Sequence, residues 1–179
     1  MWYREGMIDL KSRIRDIPDF PKPGIVFRDI TPLLADGPAF RAMVDRFVER
    51  YRGKVDVVLG IESRGFLIGA AVAYGLGVGL AVVRKPGKLP WQTYAARYDL
   101  EYGSDALEIH HDAVGHGHRV LIIDDLLATG GTASAAVELV QRCGGTVVGC
   151  AFLIELAFLH GRQRLADTEV HSLIQYDGE

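Results

Sequence analysis

The chain has 179 residues, 49% of them hydrophobic and 24% charged, with a formal net charge of −3. That length suits one domain with a substantial core, and the composition argues against disorder. A net negative charge leaves no global positive field for nucleic acid or an anionic membrane, so any phosphate binding must come from local geometry.

Taken in chain order, helical and strand patterns alternate. Met1-Trp2-Tyr3-Arg4-Glu5 lacks the apolar core of a signal peptide, and no apolar run reaches the length of a membrane span. After Pro38, the spacing of Phe40, Met43, Val44, Phe47 and Tyr51 predicts a helix that stops before Gly53. Val55 to Ile61 reads as a mostly buried strand. Leu67, Ala70, Ala71 and Tyr74 mark a second helix ending at Gly75, and Gly79 to Val83 is strand-like again. From Arg84 to Asp105 neither period holds, so that stretch, rich in Gly, Pro and charge, reads as a mobile excursion. Val120-Leu121-Ile122-Ile123 is a strand covered on both faces. Ala133, Ala136, Val137 and Val140 give a helix stopped by Gly144-Gly145, and strands follow at Thr146–Leu153 and Val170–Ile174.

This rhythm predicts an α/β fold with a mainly parallel central sheet flanked by helices. Ligands in such sheets sit beyond the carboxyl ends of the strands. The chemistry-bearing residues fall there. The strongest signal is the run from Val120 to Thr132, in which a buried strand leads into Asp124-Asp125-Leu126-Leu127-Ala128-Thr129-Gly130-Gly131-Thr132. A helix N-terminus offers unpaired N–H groups and a positive dipole end to a phosphate. Gly130 and Gly131 allow close backbone approach, and Thr129 and Thr132 can donate hydroxyl hydrogen bonds. Two adjacent carboxylates repel unless they accept hydrogen bonds or face a cation. A ribose diol beside a metal-bound pyrophosphate supplies both, whereas an acidic strand-to-helix turn is the plainer alternative.

Two more segments follow strands. Glu62-Ser63-Arg64-Gly65 opens the second helix, where Arg64 can grip two phosphate oxygens or simply pair with Glu62 at the surface. Arg84-Lys85-Pro86-Gly87-Lys88 places three cations directly after a strand, as an anion site or a solvated basic turn. Cys143 and Cys150, set among apolar residues, make neither a disulfide framework nor a zinc site and are expected as buried thiols of a cytoplasmic protein. His110, His111, His116 and His118 lack companion ligands at metal spacing and read as a solvated turn.

With these motifs the chain resembles the type I phosphoribosyltransferases, from about Arg13 to about Tyr176. The Val120–Thr132 run resembles their motif for phosphoribosyl pyrophosphate (PRPP). Four further segments resemble the adenine-using branch: Pro21–Asp29, Glu62–Phe66, Arg84–Pro90 and Leu100–Gly103.

The resemblance implies one phosphoribosyltransferase domain over 1–179, with an N-terminal base-binding hood over about 1–35 and a flexible catalytic loop over about 85–106. It also implies roles. The 5'-phosphate would sit on Ala128–Thr132 and the ribose hydroxyls on Asp124 and Asp125. Pyrophosphate would be held by Glu62, Ser63, Arg64 and Lys88, joined by Arg84 from a neighbouring subunit, so a homodimer is expected. Adenine would stack on Phe27 with Leu126 opposite, its edge read by backbone groups of Val26 and Arg28, while Glu101 adjusts the N7 proton. Mg2+ would be bound mainly through PRPP rather than by protein ligands. No nucleic acid or membrane partner is expected.

Two alternatives stay open on this reading: transfer to xanthine, hypoxanthine or guanine, or a PRPP-sensing regulator that binds nucleic acid. Enzymes for 6-oxopurines usually bring a lysine to the oxygen, and Val26-Phe27-Arg28 has none. The acidic net charge speaks against the regulator.

Overall fold

A computed structural model describes residues 8–99 and 104–178. Near the N-terminus β1 (Arg15–Ile17) pairs antiparallel with β2 (Phe27–Asp29). Helices α1 (Thr31–Ala35) and α2 (Gly37–Tyr51) follow. Asp36 caps α2 by accepting from Ala39 N, and Pro38 sits in the first turn, where its missing N–H costs nothing.

The body is then β3 (Val57–Ile61), α3 (Arg64–Leu76), β4 (Gly79–Val83), a hairpin of β5 (Thr93–Asp99) and β6 (Ser104–His110), β7 (Arg119–Leu127), α4 (Gly131–Arg142), β8 (Thr146–Leu156) and β9 (Val170–Tyr176). Strands in the order β4-β3-β7-β8-β9 form a parallel sheet. Alternation along the central strand builds two cores, one on each face. Val120 and Ile122 pack with Leu59, Phe152 and the α4 residues Ala136 and Leu139, and the β5–β6 hairpin covers the same face. Leu121 and Ile123 pack with Val58, Ala151 and the helices α2 and α3 through Phe47, Ile68 and Val72.

Three details depart from the sequence reading. Helix α3 runs past Gly75 to Leu76 and ends on Gly77, whose φ of +71° makes the left-handed cap. The excursion after Arg84 contains an antiparallel hairpin with Ala96 opposite Leu107 and Tyr94 opposite Ile109. Its buried residues Ala96, Tyr98, Leu107 and Ile109 do alternate, but Ala is weakly apolar and charged neighbours hide the period. Residues 100–103, including Glu101, lie outside the described residues.

The third departure bears on the site. Strand β7 does not stop at Ile123 but continues through Asp124 and Asp125 to Leu127. Its pairing to β3 ends at Ile123, while its pairing to β8 continues to Leu127. The last four residues of β7 are thus held on one side only, and the other side faces a cleft. Among the described residues no helix is long and apolar enough to cross a membrane.

Candidate active site

A cleft of about 330 Å³ lies beyond the end of β7. Its lining combines Asp124–Ala133 with Glu62, Ser63, Arg64, Lys85 and Tyr98. It therefore gathers the β3–α3 connection, the β7–α4 turn and the first residues after β4 in one place.

The β7–α4 turn is shaped by backbone approach. Gly130 has φ +83°, a conformation that L side chains rarely adopt, and a Cβ there would collide with the carbonyl of Gly161. A Cβ on Gly161 would in turn strike the carbonyl of Ala128. The turn is thus seated on a neighbouring backbone that leaves no room for a side chain. Beyond it, α4 begins at Gly131, so its unpaired first-turn N–H groups and positive end point toward the cleft.

Across the cleft, α3 begins at Arg64. A Cβ on Gly65 would lie 2.8 Å from Ile123 O and 2.9 Å from an Asp124 carboxylate oxygen, so only glycine lets α3 start this close to β7. The peptide joining Glu62 to Ser63 is cis. Arg64 Nε donates to Asp125 Oδ2, and the Arg64 guanidinium carbon lies 5.7 Å from the Phe27 ring centroid. Phe27, edge-on to Phe20, therefore stands beside the cleft, next to one of its lining cations.

The electrostatics follow from these placements. Asp125 is buried, and its N–H donates to Asp124 Oδ1 at 2.9 Å. Burial, then repulsion by the Asp125 carboxylate, raises the Asp124 carboxyl well above the ordinary value. Glu62 goes the other way. Arg84 donates to both its oxygens, at 3.0 and 3.3 Å, Lys85 N donates to it at 2.8 Å, and these contacts keep its pKa low. Burial works against the Lys85 ammonium, but hydrogen bonds to Asp105 and Tyr98 outweigh it and leave the pKa raised.

The residues singled out in the sequence divide accordingly. Glu62, Ser63, Arg64, Asp124, Asp125, Leu126, Ala128, Thr129, Gly130, Gly131 and Thr132 line one cleft. Val26, Phe27, Arg28, Arg84 and Lys88 are not among its described lining. Phe27 adjoins it through Arg64, and Arg84 through Glu62. Sequence reading gave no role to Tyr98 or Gly161 and named Lys85 only as one of three cations after β4. Lys85 sat in plain view within a basic run, but nothing in the run distinguished it from its neighbours.

The histidines do not converge. His111 stacks on Tyr94 with centroids 4.0 Å apart, His110 meets Trp91 edge-on, and His118 Nδ1 accepts from Gly115 N. Among the described residues no group of three or more His, Cys, Asp or Glu is placed to hold a metal ion. Cys150 is buried, which pushes its thiol up to about 12, whereas Cys143 is only half-buried, a correction to the expectation of two buried thiols.

Comparison with known proteins gives consistent matches. The family model described as "Phosphoribosyl transferase domain" matches residues 34–175. An adenine phosphoribosyltransferase from Solibacter usitatus is 62% identical over 172 residues, covering 96% of this chain and 99% of the relative. The crystal structure of adenine phosphoribosyltransferase from Thermoanaerobacter pseudethanolicus superposes with a TM-score of 0.91 at 53% identity, covering 93% of this chain and 98% of that one. The enzyme from Saccharomyces cerevisiae, solved with adenine and an imino-altritol bisphosphate, superposes with a TM-score of 0.85 at 42% identity, covering 90% and 94%.

Proposed function

The chain belongs to the phosphoribosyltransferase family, and from that premise we propose that the cleft at the end of β7 is where it transfers the 5-phosphoribosyl group of PRPP to adenine. The chain is an adenine phosphoribosyltransferase: it makes AMP and pyrophosphate, a purine-salvage reaction. The single observation that carries the assignment to this cleft is the β7–α4 turn, with two carboxylates just before a helix N-terminus too tightly seated for any side chain at Gly130.

In this reading the 5'-phosphate accepts hydrogen bonds from the first-turn N–H groups of α4 and from the hydroxyls of Thr129 and Thr132. Asp124 and Asp125 accept from the ribose hydroxyls. Arg64 and Lys85 face the departing pyrophosphate. As the C1'–oxygen bond breaks and C1' gains cationic character, these groups stabilise the charge on the leaving oxygens. Adenine, stacked between Phe27 and Leu126, forms the new bond from N9 to C1'. Its imidazole proton departs with help from Glu101 at N7. Magnesium would arrive mainly with the substrate. Bound in that way, it would supply further neutralisation of the pyrophosphate.

A homodimer is part of the same reading. Tyr74 is 90% exposed, and Leu67 on α3 and Leu80 on the edge strand β4 are also exposed. Leu80 lies on β4, the strand that Arg84 follows, and Arg84 is not among the lining of its own chain's cleft. A second copy covering these exposed residues would bring Arg84 toward a neighbouring subunit. A cytoplasmic location fits two free thiols and no membrane-length helix among the described residues.

The direct test is incubation of purified protein with adenine, PRPP and magnesium, following AMP and pyrophosphate. Hypoxanthine, guanine and xanthine should compete poorly. No AMP at high enzyme concentration overturns the assignment.

A further inference from the structure

The base-binding strand is short and lies apart from the main sheet, so something must fix its distance from the cleft. Among the described residues β2 pairs only with β1, another three-residue strand, and together they form a sheet separate from the parallel one. Two such strands cannot hold a fixed position by their own hydrogen bonds. Alternation puts Phe27 and Arg28 on opposite sides of β2.

Arg28 turns away from the cleft and is buried, at 7% exposure. Its Nη1 pairs with Asp16 Oδ1 at 2.6 Å, and Asp16 is its cross-strand partner in β1. Its Nε meets no acceptor among the described residues. What remains is the aromatic face: the guanidinium carbon lies over the Tyr176 ring, 4.0 Å from its centroid. Tyr176 closes β9, registered against Leu156 of β8, and belongs to the buried core. The same ring carries a second cation, Lys11 Nζ at 4.3 Å, and that ammonium also donates to Gln175 O. The end of β9 is therefore a rigid platform to which the N-terminal segment is fastened at two points.

We propose that Tyr176 is a positioning residue for the purine base: through Arg28 it sets where Phe27 stands relative to Leu126 and hence the width of the slot that adenine enters. Tyr176 touches neither substrate in this scheme. The inference rests on the reading that Phe27 stacks the base. An aromatic face holds a guanidinium by both dispersion and the ring quadrupole, so an aliphatic residue of similar bulk keeps the packing and loses the orientation.

The test compares Tyr176→Leu, Tyr176→Phe, Asp16→Asn and Phe27→Ala by steady-state kinetics with each substrate varied in turn, alongside melting curves. Tyr176→Leu should raise KM for adenine roughly tenfold, the loss expected for one desolvated cation–π contact, while KM for PRPP stays within about twofold. Tyr176→Phe keeps the ring and should restore the adenine KM. Asp16 is half-exposed, and Asn keeps an oxygen that can accept from Arg28 Nη1, so Asp16→Asn loses the charge but not the hydrogen bond and should shift the adenine KM in the same direction by a smaller factor. Parallel rises in both KM values, or an unchanged adenine KM in both Tyr176→Leu and Asp16→Asn, overturn the positioning role. If Tyr176→Leu does not fold, Asp16→Asn carries the test alone. Phe27→Ala separates the two layers of the argument. If it leaves the adenine KM unchanged, the stacking assignment is wrong; if it raises that KM and the other variants do not, only the role of Tyr176 is lost.

Discussion

Arg64 Nε donates to Asp125 Oδ2 at 2.5 Å, joining the first residue of α3 to the end of β7. The pair spans the cleft's two anion-ready termini, one proposed for pyrophosphate and one for the sugar phosphate. In that pair the two sides of the cleft satisfy each other.

Asp124 should show function and stability pulling apart. Burial and the Asp125 carboxylate raise its folded value above 3.8. A carboxyl shifted upward favours the folded state below the unfolded value, and that contribution is lost as pH rises through the folded value. Asp124→Asn should therefore melt higher than the parent at pH 7, with the two curves converging below pH 3.8. Its activity should fall roughly 10- to 100-fold, the worth of a charge-assisted hydrogen bond to a ribose hydroxyl. Melting scans across pH, paired with an AMP-formation assay, check both halves.

Gly130→Ala should damage the phosphate turn directly. The substitution forces a side chain into a φ of +83° and against the Gly161 carbonyl. A cost of about 1–3 kcal/mol in stability follows from strain of that kind. KM for PRPP should rise more than KM for adenine, because the turn is the proposed seat of the sugar phosphate and not of the base. Kinetic titration with each substrate distinguishes the two.

Glu155 and Arg162 form a buried-to-surface pair behind the same turn. Arg162 donates to both Glu155 oxygens at 2.6 Å, Ser172 donates as well, and these bonds hold Glu155 below its ordinary 4.5 against the opposing effect of burial. A depressed carboxylate contributes stability above the unfolded value and loses it as pH falls through the folded one. Arg162→Met strands that carboxylate and should cost on the order of 3 kcal/mol at pH 7. Urea melts should show the deficit shrinking in acid, where Glu155 is protonated in both proteins.

Shared active sites can be tested by mixing. Arg84→Ala and Asp124→Ala should each be nearly inactive alone. Co-refolded in equal amounts, they should regain about a quarter of wild-type activity, since half the dimers are hybrids with one intact site each. No recovery would place the action of Arg84 within its own chain.

Much of this was legible in the sequence because its signals are local. A continuous apolar run followed by two acids and a Gly-Gly turn states a buried strand, its end and a helix start within thirteen residues, Val120 to Thr132. Other features depend on contacts distant along the chain. Gly161 shapes the turn through backbone proximity to Ala128 and Gly130, for which a lone glycine offers no clue. The extension of β7 past Ile123 was hidden because strand pairing to β8 outlasted the hydrophobic pattern. The β5–β6 hairpin was hidden because one buried face was built partly from Ala96 and Tyr98, flanked by Arg97 and Asp99.

Three cations at or beside the cleft are paired to a carboxylate of the same chain: Arg64 to Asp125, Arg84 to Glu62 and Lys85 to Asp105. Anion capture is consequently a displacement rather than a simple attraction. In the proposed scheme it is the pyrophosphate end of the substrate, with several charges close together, that competes for these paired cations, while the 5'-phosphate meets backbone N–H groups that carry no internal partner charge. On that scheme the cleft should discriminate by the number of charges an incoming anion carries. Weak inhibition by orthophosphate, against strong inhibition by pyrophosphate, is the measurable form of that discrimination.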